Sequence, residues 1–510
     1  MQRVEHIGLC VLLSALASSC TEGGDVPSER AQEIAAYARA TYSDAMVATL
    51  GDLVGFRSVH EEGLANAENP EFQAMTAYLE GKAGELGLDF ADHGAVVVIG
   101  LGDADDRLGL VTHADVQPAG PSQWAQSPFS LDTASEPGRL IGRGAEDDKG
   151  PIATALYAMK AIEDRGLPLE RRIELIISYT EESDWGPFQA FLAANPPPGL
   201  NVALDSEYPV VVAEKAWNAV WLVLPARDEP VGAANRLASF SGGAFLSQVP
   251  GEAEVVIARP TPEVEDALRA AAERDTLVRY AFESEEGRLT IVATGLAAHS
   301  SKPEEGRNAI AQLAALLGAH DWPDGQVARM VRLINDLVGT GHYGARFGAI
   351  AYTHPFMGPL TLALTTLGRE DGALVAAINI RSPAGRSPEE LERLVREVVD
   401  DWKQRTGTAE LETRMFVSPP HYPEGAPHIP VLLDIFEHYT GQPDPQPIAI
   451  GGGTHARLVP NGVNFGPAMP GEVYTGHSEH EFITREQIEL NLAMYTAMLV
   501  ELAGGGNGGG

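Results

Sequence analysis

The sequence predicts an α/β protein: a mixed, largely parallel sheet with flanking helices, interrupted by an inserted α+β domain. Three observations predict it. Three short apolar runs, Leu108 to Thr112, Ile173 to Thr180 and Leu200 to Leu204, end abruptly in His113-Ala114-Asp115, Glu181-Glu182 and Asp205. Apolar runs of that length read as strands buried on both faces. A helical pattern from Pro151 to Arg165 separates the first run from the second, and strand-helix alternation implies parallel pairing. After Glu214-Lys215 the acidic strand ends stop, and polar loops rich in glycine and histidine return only between Ile448 and Glu481.

Taken in chain order, the elements begin with a leader. Arg3 precedes a short apolar run, Ile7 to Ala17, followed by Ser18-Ser19-Cys20 and a polar stretch. The run is below the roughly 17 to 25 residues that span a bilayer, so residues 1–20 read as a secretion signal. Its ending resembles a bacterial lipoprotein signal, with Cys20 as the lipidated residue; an ordinary cleavable signal with an incidental cysteine is the alternative. Export to the periplasm follows from either. A lipid on Cys20 would be the only membrane attachment, and Thr21 after the cysteine, where Asp would favour retention, points to the outer membrane. Residues 26–216 and 392–503 are expected to form one discontinuous domain around an inserted domain at 217–391. The last stretch, Gly504 to Gly510, has almost no side chain to bury and is expected to be disordered.

Composition narrows the chemistry. With 36 Lys plus Arg against 71 Asp plus Glu, the 510-residue chain carries a formal charge of −35, which repels nucleic acid and suits cations. Cys10 and Cys20 are the only cysteines, so the folded body has neither disulfides nor thiolate ligands. Ligation must come from nitrogen and oxygen. His113 and Asp115 stand two apart at a strand end, on one side if the strand continues. Gly142-Arg143-Gly144-Ala145-Glu146-Asp147-Asp148-Lys149-Gly150-Pro151 joins a glycine turn to paired carboxylates and a proline suited to a first helical turn. Glu181-Glu182 places two carboxylates side by side, which repel unless a cation or proton lies between them. With Asp205 and the late His477, the inventory suits zinc, manganese or cobalt in a two-metal hydrolytic site.

These motifs, with Asp205-Ser206-Glu207-Tyr208-Pro209-Val210, Glu214-Lys215 and Gly451-Gly452-Gly453-Thr454-His455-Ala456-Arg457, recur in an order that resembles the M20 family of co-catalytic metallopeptidases, in particular its PepV-type and carnosinase-like dipeptidases. The resemblance spans about residues 35 to 500. It implies a co-catalytic zinc peptidase fold and two divalent ions, zinc or else manganese or cobalt. Asp147 would bridge them, His113 and Asp205 would complete one site, and Glu182 and His477 the other. Glu181 would be the general base and Asp115 would orient His113. In the inserted domain, His299 within Ala297-Ala298-His299-Ser300-Ser301-Lys302-Pro303 matches a lid histidine that stabilises the tetrahedral oxyanion. Arg381 matches an arginine that pairs with the substrate's free carboxylate, and Gly452, Gly453 and Thr454 would add donors near it. The implied substrate is a small peptide, and the long lid implies a monomer.

The sequence departs from the family pattern at His480, where relatives commonly carry Asn, at Ser247-Gln248-Val249-Pro250, a lid stretch that usually contains Asn, and at His455. Two other functions compete with a dipeptidase. An amidohydrolase that removes acyl groups from amino acids would use the same Arg381 and glycine loop, since both substrates present a carboxylate. A lipoprotein that binds peptide or metal without turnover would not need Glu181.

Overall fold

The structure, a computed structural model, describes residues 26–505 apart from 121–123, 228–231 and 424. Cys20 and the leader lie outside the described residues. The first body is built on an eight-stranded sheet in the order Asp89–Asp92, Val96–Leu101, Arg172–Ser178, Arg107–His113, Leu200–Ala203, Gly462–Asn464, Val211–Glu214 and Ile448–Ile450. Its four central strands, from Arg172–Ser178 to Gly462–Asn464, are mutually parallel, and antiparallel strands lie outside them. The three apolar runs are central strands, and the helix between the first two covers Lys149–Asp164. That helix packs with Glu29–Gly55 and Arg485–Ala503 over one face. Phe188, from the helix Gly186–Ala194, and His455 cover part of the other.

The late loops do more than return to the first body. Gly462–Asn464 enters the sheet between strands that are hundreds of residues earlier in the chain, pairing in parallel with Leu200–Ala203. A strand of three residues carries little periodicity, and it forms because its neighbours are already in place.

The second body has its own eight-stranded sheet, ordered Arg279–Glu285, Arg288–Thr294, Glu252–Ala258, Arg236–Gly242, Thr361–Glu370, Ala373–Ser382, Ala216–Leu224 and Glu412–Phe416, antiparallel throughout. Helices Ala309–Leu317 and Gln326–Leu333 cover it. The expected boundary at residue 392 is corrected here. Leu391, Leu394, Val395, Val399 and Trp402, from the helix Pro388–Thr406, belong to this second core. Glu412–Phe416 pairs with Ala216–Leu224, so the chain leaves the second body only after Phe416. Gly504 and Gly505, expected within the glycine tail, are tied to the first body: Gly504 bridges Leu169 and Gly505 donates to the Pro168 carbonyl at 3.2 Å, while residues 506–510 lie outside the described residues. Among the described residues, no helix is long and apolar enough to cross a membrane.

Candidate active site

The three central strands release their polar residues at neighbouring carboxyl ends, where ligands gather in open α/β sheets. Asp147 joins them from the turn before helix Lys149–Asp164. Its two carboxylate oxygens face different imidazoles: Oδ1 lies 2.9 Å from His113 Nε2, and Oδ2 lies 3.0 Å from His477 Nε2. Asp205 Oδ1 is 3.7 Å from His113 Nε2, and Glu182 Oε1 is 2.6 Å from His477 Nε2. The five ligands implied by the resemblance thus converge as two sets that share Asp147. His477 reaches the cluster from a residue with φ +64, a left-handed conformation that few side chains other than Asn, Asp and His tolerate.

The surroundings fix these groups. His113 Nδ1 lies 2.9 Å from the Asp115 carbonyl and 3.6 Å from its carboxylate. The Asp115 carboxylate itself accepts the N–H groups of Glu181 at 3.0 Å and Glu182 at 2.9 Å. Asp115 therefore holds the Glu181-Glu182 turn as well as facing the imidazole. Glu481 accepts from the N–H groups of Glu146 and Asp147 at 3.0 and 3.1 Å and from Arg143 Nη1 at 2.7 Å, which anchors the Asp147 turn from behind. Gln117 donates to Glu182 Oε2 at 2.9 Å.

Charge in the cluster is unbalanced. Two imidazoles face Asp147, Asp148, Glu181, Glu182 and Asp205. Burial raises the Asp147 carboxyl, but His477 and His113 outweigh it and hold it well below the usual range. Burial and then Asp205 push Glu181 well up, and burial raises Asp205 to about 6 against the opposing effect of His113. Such a surplus of enclosed negative charge asks for a cation. Donor atoms of His113, Asp147 and Glu182, and again of His113, Asp148 and Asp205, lie within 4.8 Å of one another. The all nitrogen and oxygen donor set fits divalent zinc, manganese or cobalt.

Two members of this cluster carry no site role in the sequence reading. Asp148 takes the Thr112 hydroxyl and the His113 N–H on one oxygen, while its other oxygen is buried without a partner. Tyr474 donates its phenol to Asp147 Oδ2. Asp148 was visible in the paired carboxylates; nothing in the sequence around Tyr474 marks it.

The second body supplies the facing wall. Arg381 is 3% exposed, and no carboxylate lies within ion-pair distance of it among the described residues. Its donors go to neutral acceptors instead, Asn379 Oδ1 at 2.8 Å, the Gly451 carbonyl at 3.2 Å and Ser300 Oγ at 3.4 Å. Next to Ser300, His299 is exposed to the cleft. The Ser301 N–H, at 3.3 Å, and the Ser301 hydroxyl, at 2.6 Å, both contact Nδ1. An Nδ1 that accepts leaves the proton of the neutral ring on Nε2. Loss of solvent around the ring itself, and then the charges of Arg381 and His477, lower the imidazole and keep it neutral.

Thr454 has a different task from the one the resemblance implies. Its N–H and hydroxyl both donate to the buried Glu214 carboxylate, at 3.1 and 2.7 Å, so it fastens the loop. Of the three loop residues that the resemblance implies as donors, this leaves Gly452 and Gly453. A Cβ at Gly451 would lie 2.6 Å from Ser301 Cβ, so glycine is needed there for the loop to meet the lid. His455 is buried and stacked on Phe188 at 4.2 Å, away from the cleft.

Comparison with known proteins agrees with this geometry. Residues 109–501 match the model of peptidase family M20/M25/M40. A putative dipeptidase of Bacillus subtilis, YtjP, is 31% identical over 420 residues, 81% of this chain and 86% of that protein. The beta-Ala-Xaa dipeptidase of Lactobacillus delbrueckii subsp. lactis is 28% identical over 467 residues, 90% of this chain and 96% of the relative. Human carnosine dipeptidase 1 shares the fold with a TM-score of 0.57 at 15% identity, over 93% of this chain and 99% of that one.

Proposed function

The chain belongs to peptidase family M20 and is a metallopeptidase, and on that premise we propose that it is a dipeptidase acting on short peptides with a free carboxylate. One observation carries the reading: Asp147 is a carboxylate shared between two imidazoles, and Arg381, which reaches the Gly451 carbonyl of the same body, is buried with no carboxylate partner among the described residues. The first requires cations and the second an anion.

His113, Asp205 and Asp147 would hold one divalent ion, and Glu182, His477 and Asp147 the other. When bound, such ions polarise the scissile carbonyl and make water a competent nucleophile at neutral pH. Glu181 takes the proton from the attacking water and returns it to the leaving amine, a task suited to a carboxyl whose turn is held by Asp115. His299, with its proton on Nε2, donates to the developing oxyanion. Arg381 binds the terminal carboxylate with its planar guanidinium, helped by the N–H groups of Gly452 and Gly453. The lid's length supports a monomer, and the Cys20 signal supports an exported enzyme anchored by lipid, on the outer membrane by the residue after the cysteine.

The test is amine release from a panel of dipeptides, a tripeptide and an N-acetyl amino acid. The chain from Thr21 onward is assayed without metal and then with zinc, manganese or cobalt. Cleavage confined to dipeptides and dependent on metal is the expected result. Cleavage of the acetylated substrate alone would make the enzyme an amidohydrolase, which Arg381 would serve equally well. Tight metal binding with no cleavage would leave a binding protein.

A further inference from the structure

Two loops of the first body do separate work in the proposed mechanism. The Glu181-Glu182 turn handles the proton, and the Gly451–Thr454 loop meets the substrate carboxylate. One side chain lies between them, bonded to the turn and packed on the residues that follow the loop. The indole N–H of Trp185 donates to the Glu181 carbonyl at 2.8 Å. The opposite edge of the same ring faces the other loop, since a Cβ on Gly453 would lie 3.8 Å from Trp185 Cη2. His455, the next residue but one, meets the ring edge-on with centroids 5.2 Å apart, and Arg457 lies over it at 6.0 Å.

The surroundings leave the indole little freedom. His455 is itself pressed flat against Phe188, with rings 7° from parallel, and Phe188 is fully buried. Behind the loop, Glu214 holds Thr454 and Asn464, and Arg457 donates to the Pro419 carbonyl at 2.6 Å. The glycine segment is therefore fixed at its Thr454 end, and the indole meets His455 and Arg457 immediately after it. An indole is a rigid plane, so a shift imposed at its six-membered edge moves the N–H at the other edge. Contiguous packed groups of this kind carry coupling between sites.

We propose that Trp185 is a positioning residue that couples the carboxylate-reading loop to the Glu181 turn, so that engagement of a terminal carboxylate improves the placement of the proton-transfer group. The proposal rests on the dipeptidase reading above. It makes the free carboxylate matter for turnover as well as for binding. A substrate without it would be held weakly and also processed with Glu181 less well placed.

The experiment compares a dipeptide with its C-terminal amide, on the metal-loaded chain, for wild type and Trp185→Phe. Phe keeps an aromatic ring and removes the N–H donor. The expected result for the dipeptide is a fall in kcat of about tenfold with KM within about twofold, because the loss is in placement and not in binding. For the amide, kcat should stay within about twofold of wild type, since the coupling is idle there. Equal losses on both substrates, or no loss on either, would overturn the proposal, because Trp185 would then be a local support or a bystander. Failure of the dipeptidase reading shows separately, as a wild-type enzyme that treats dipeptide and amide alike. Thermal melting and metal content serve as controls for each variant. If Trp185→Phe does not fold, Trp185→Tyr supplies the same comparison, with an aromatic ring but no donor at the Nε1 position.

Discussion

The two walls of the cleft are opposites in charge and in construction. The wall on the first body is acidic and sits at the carboxyl ends of parallel strands, with Asp115, Asp205 and the Glu181-Glu182 turn within a few residues of a strand end. The wall on the second body is cationic. Arg381 stands within the antiparallel strand Ala373–Ser382, opposite Trp217 of the strand Ala216–Leu224, and His299 stands in a two-residue strand paired with Gln248–Val249. The acidic wall gathers like charges that only a cation can reconcile, whereas the cationic wall buries one guanidinium among neutral acceptors. The comparison teaches that the carboxylate cluster and the buried guanidinium are built by separate bodies, each with its own sheet and core.

Breaking the acidic wall should have the largest effect. Because Asp147 faces both imidazoles, Asp147→Asn is expected to lower activity by roughly three orders of magnitude or more and to reduce metal content at both sites, measured by elemental analysis and peptide hydrolysis. Loss of one ion with the other retained would contradict a shared ligand. Glu181→Gln separates proton transfer from ligation within the same wall: kcat should fall by roughly 100- to 10,000-fold while metal content stays at the wild-type level.

On the cationic wall the effect should be smaller and should fall on binding. Hydrogen bonds to charged groups contribute about 1.5–3 kcal/mol, so Arg381→Met should lower kcat/KM for a dipeptide by roughly 10- to 150-fold, mainly through KM. A dipeptide amide should hardly notice the change. An equal loss on the amide would mean that Arg381 supports the lid and does not read a carboxylate.

An effect on stability, with none expected on the ligand set, sharpens the comparison through pH. Lys149, fully buried below the acidic wall with Nζ donating to the Phe56 carbonyl at 2.7 Å, is lowered to about 7 by burial against the opposing pull of Glu481 and Asp115. Its folded pKa lies below the unfolded one, so between about pH 7 and 10.5 the unfolded chain binds more protons and this contribution to stability rises with pH. Below that window the fold bears the cost of a buried charge. Lys149→Met should therefore be stabilised relative to wild type near pH 7, and the difference should shrink by on the order of 3 kcal/mol towards pH 10.5. Parallel denaturation curves at the two pH values measure it.

How much of this was legible depended on how local each signal is. The strand ends could be read because a buried parallel strand is apolar throughout and its ligands follow at once, as in Val111-Thr112-His113. The helix Lys149–Asp164 was placed within two residues because Pro151 marks its first turn. The second body was harder. Glu412–Phe416 alternates partly buried and exposed residues and has no apolar run, so it was left with the first body until its pairing with Ala216–Leu224 assigned it. At the site, His113, Asp147, Glu182, Asp205 and His477 were named from their motifs, and the structure brings them together. Thr454 was misjudged because a hydroxyl in a glycine loop looks free in sequence, and Glu214, 240 residues earlier, takes it. Trp185 and Tyr474 carried no signal, since an aromatic residue in a loop is as often packing as function.

The sequence by itself determined the donor set: with no cysteine in the folded body, ligation fell to imidazoles and carboxylates, and those sit at strand ends where local patterning reveals them. Tertiary structure alone decided how the donors divide, with Asp147 between two imidazoles from segments hundreds of residues apart. It also decided which polar groups are spent on holding loops, as Thr454 and Asp115 are, and which are buried with neutral partners only, as Arg381 is among the described residues. The physical reason is that residue chemistry is a local property. The balance of charge and hydrogen bonds around a residue belongs to whatever the fold packs against it.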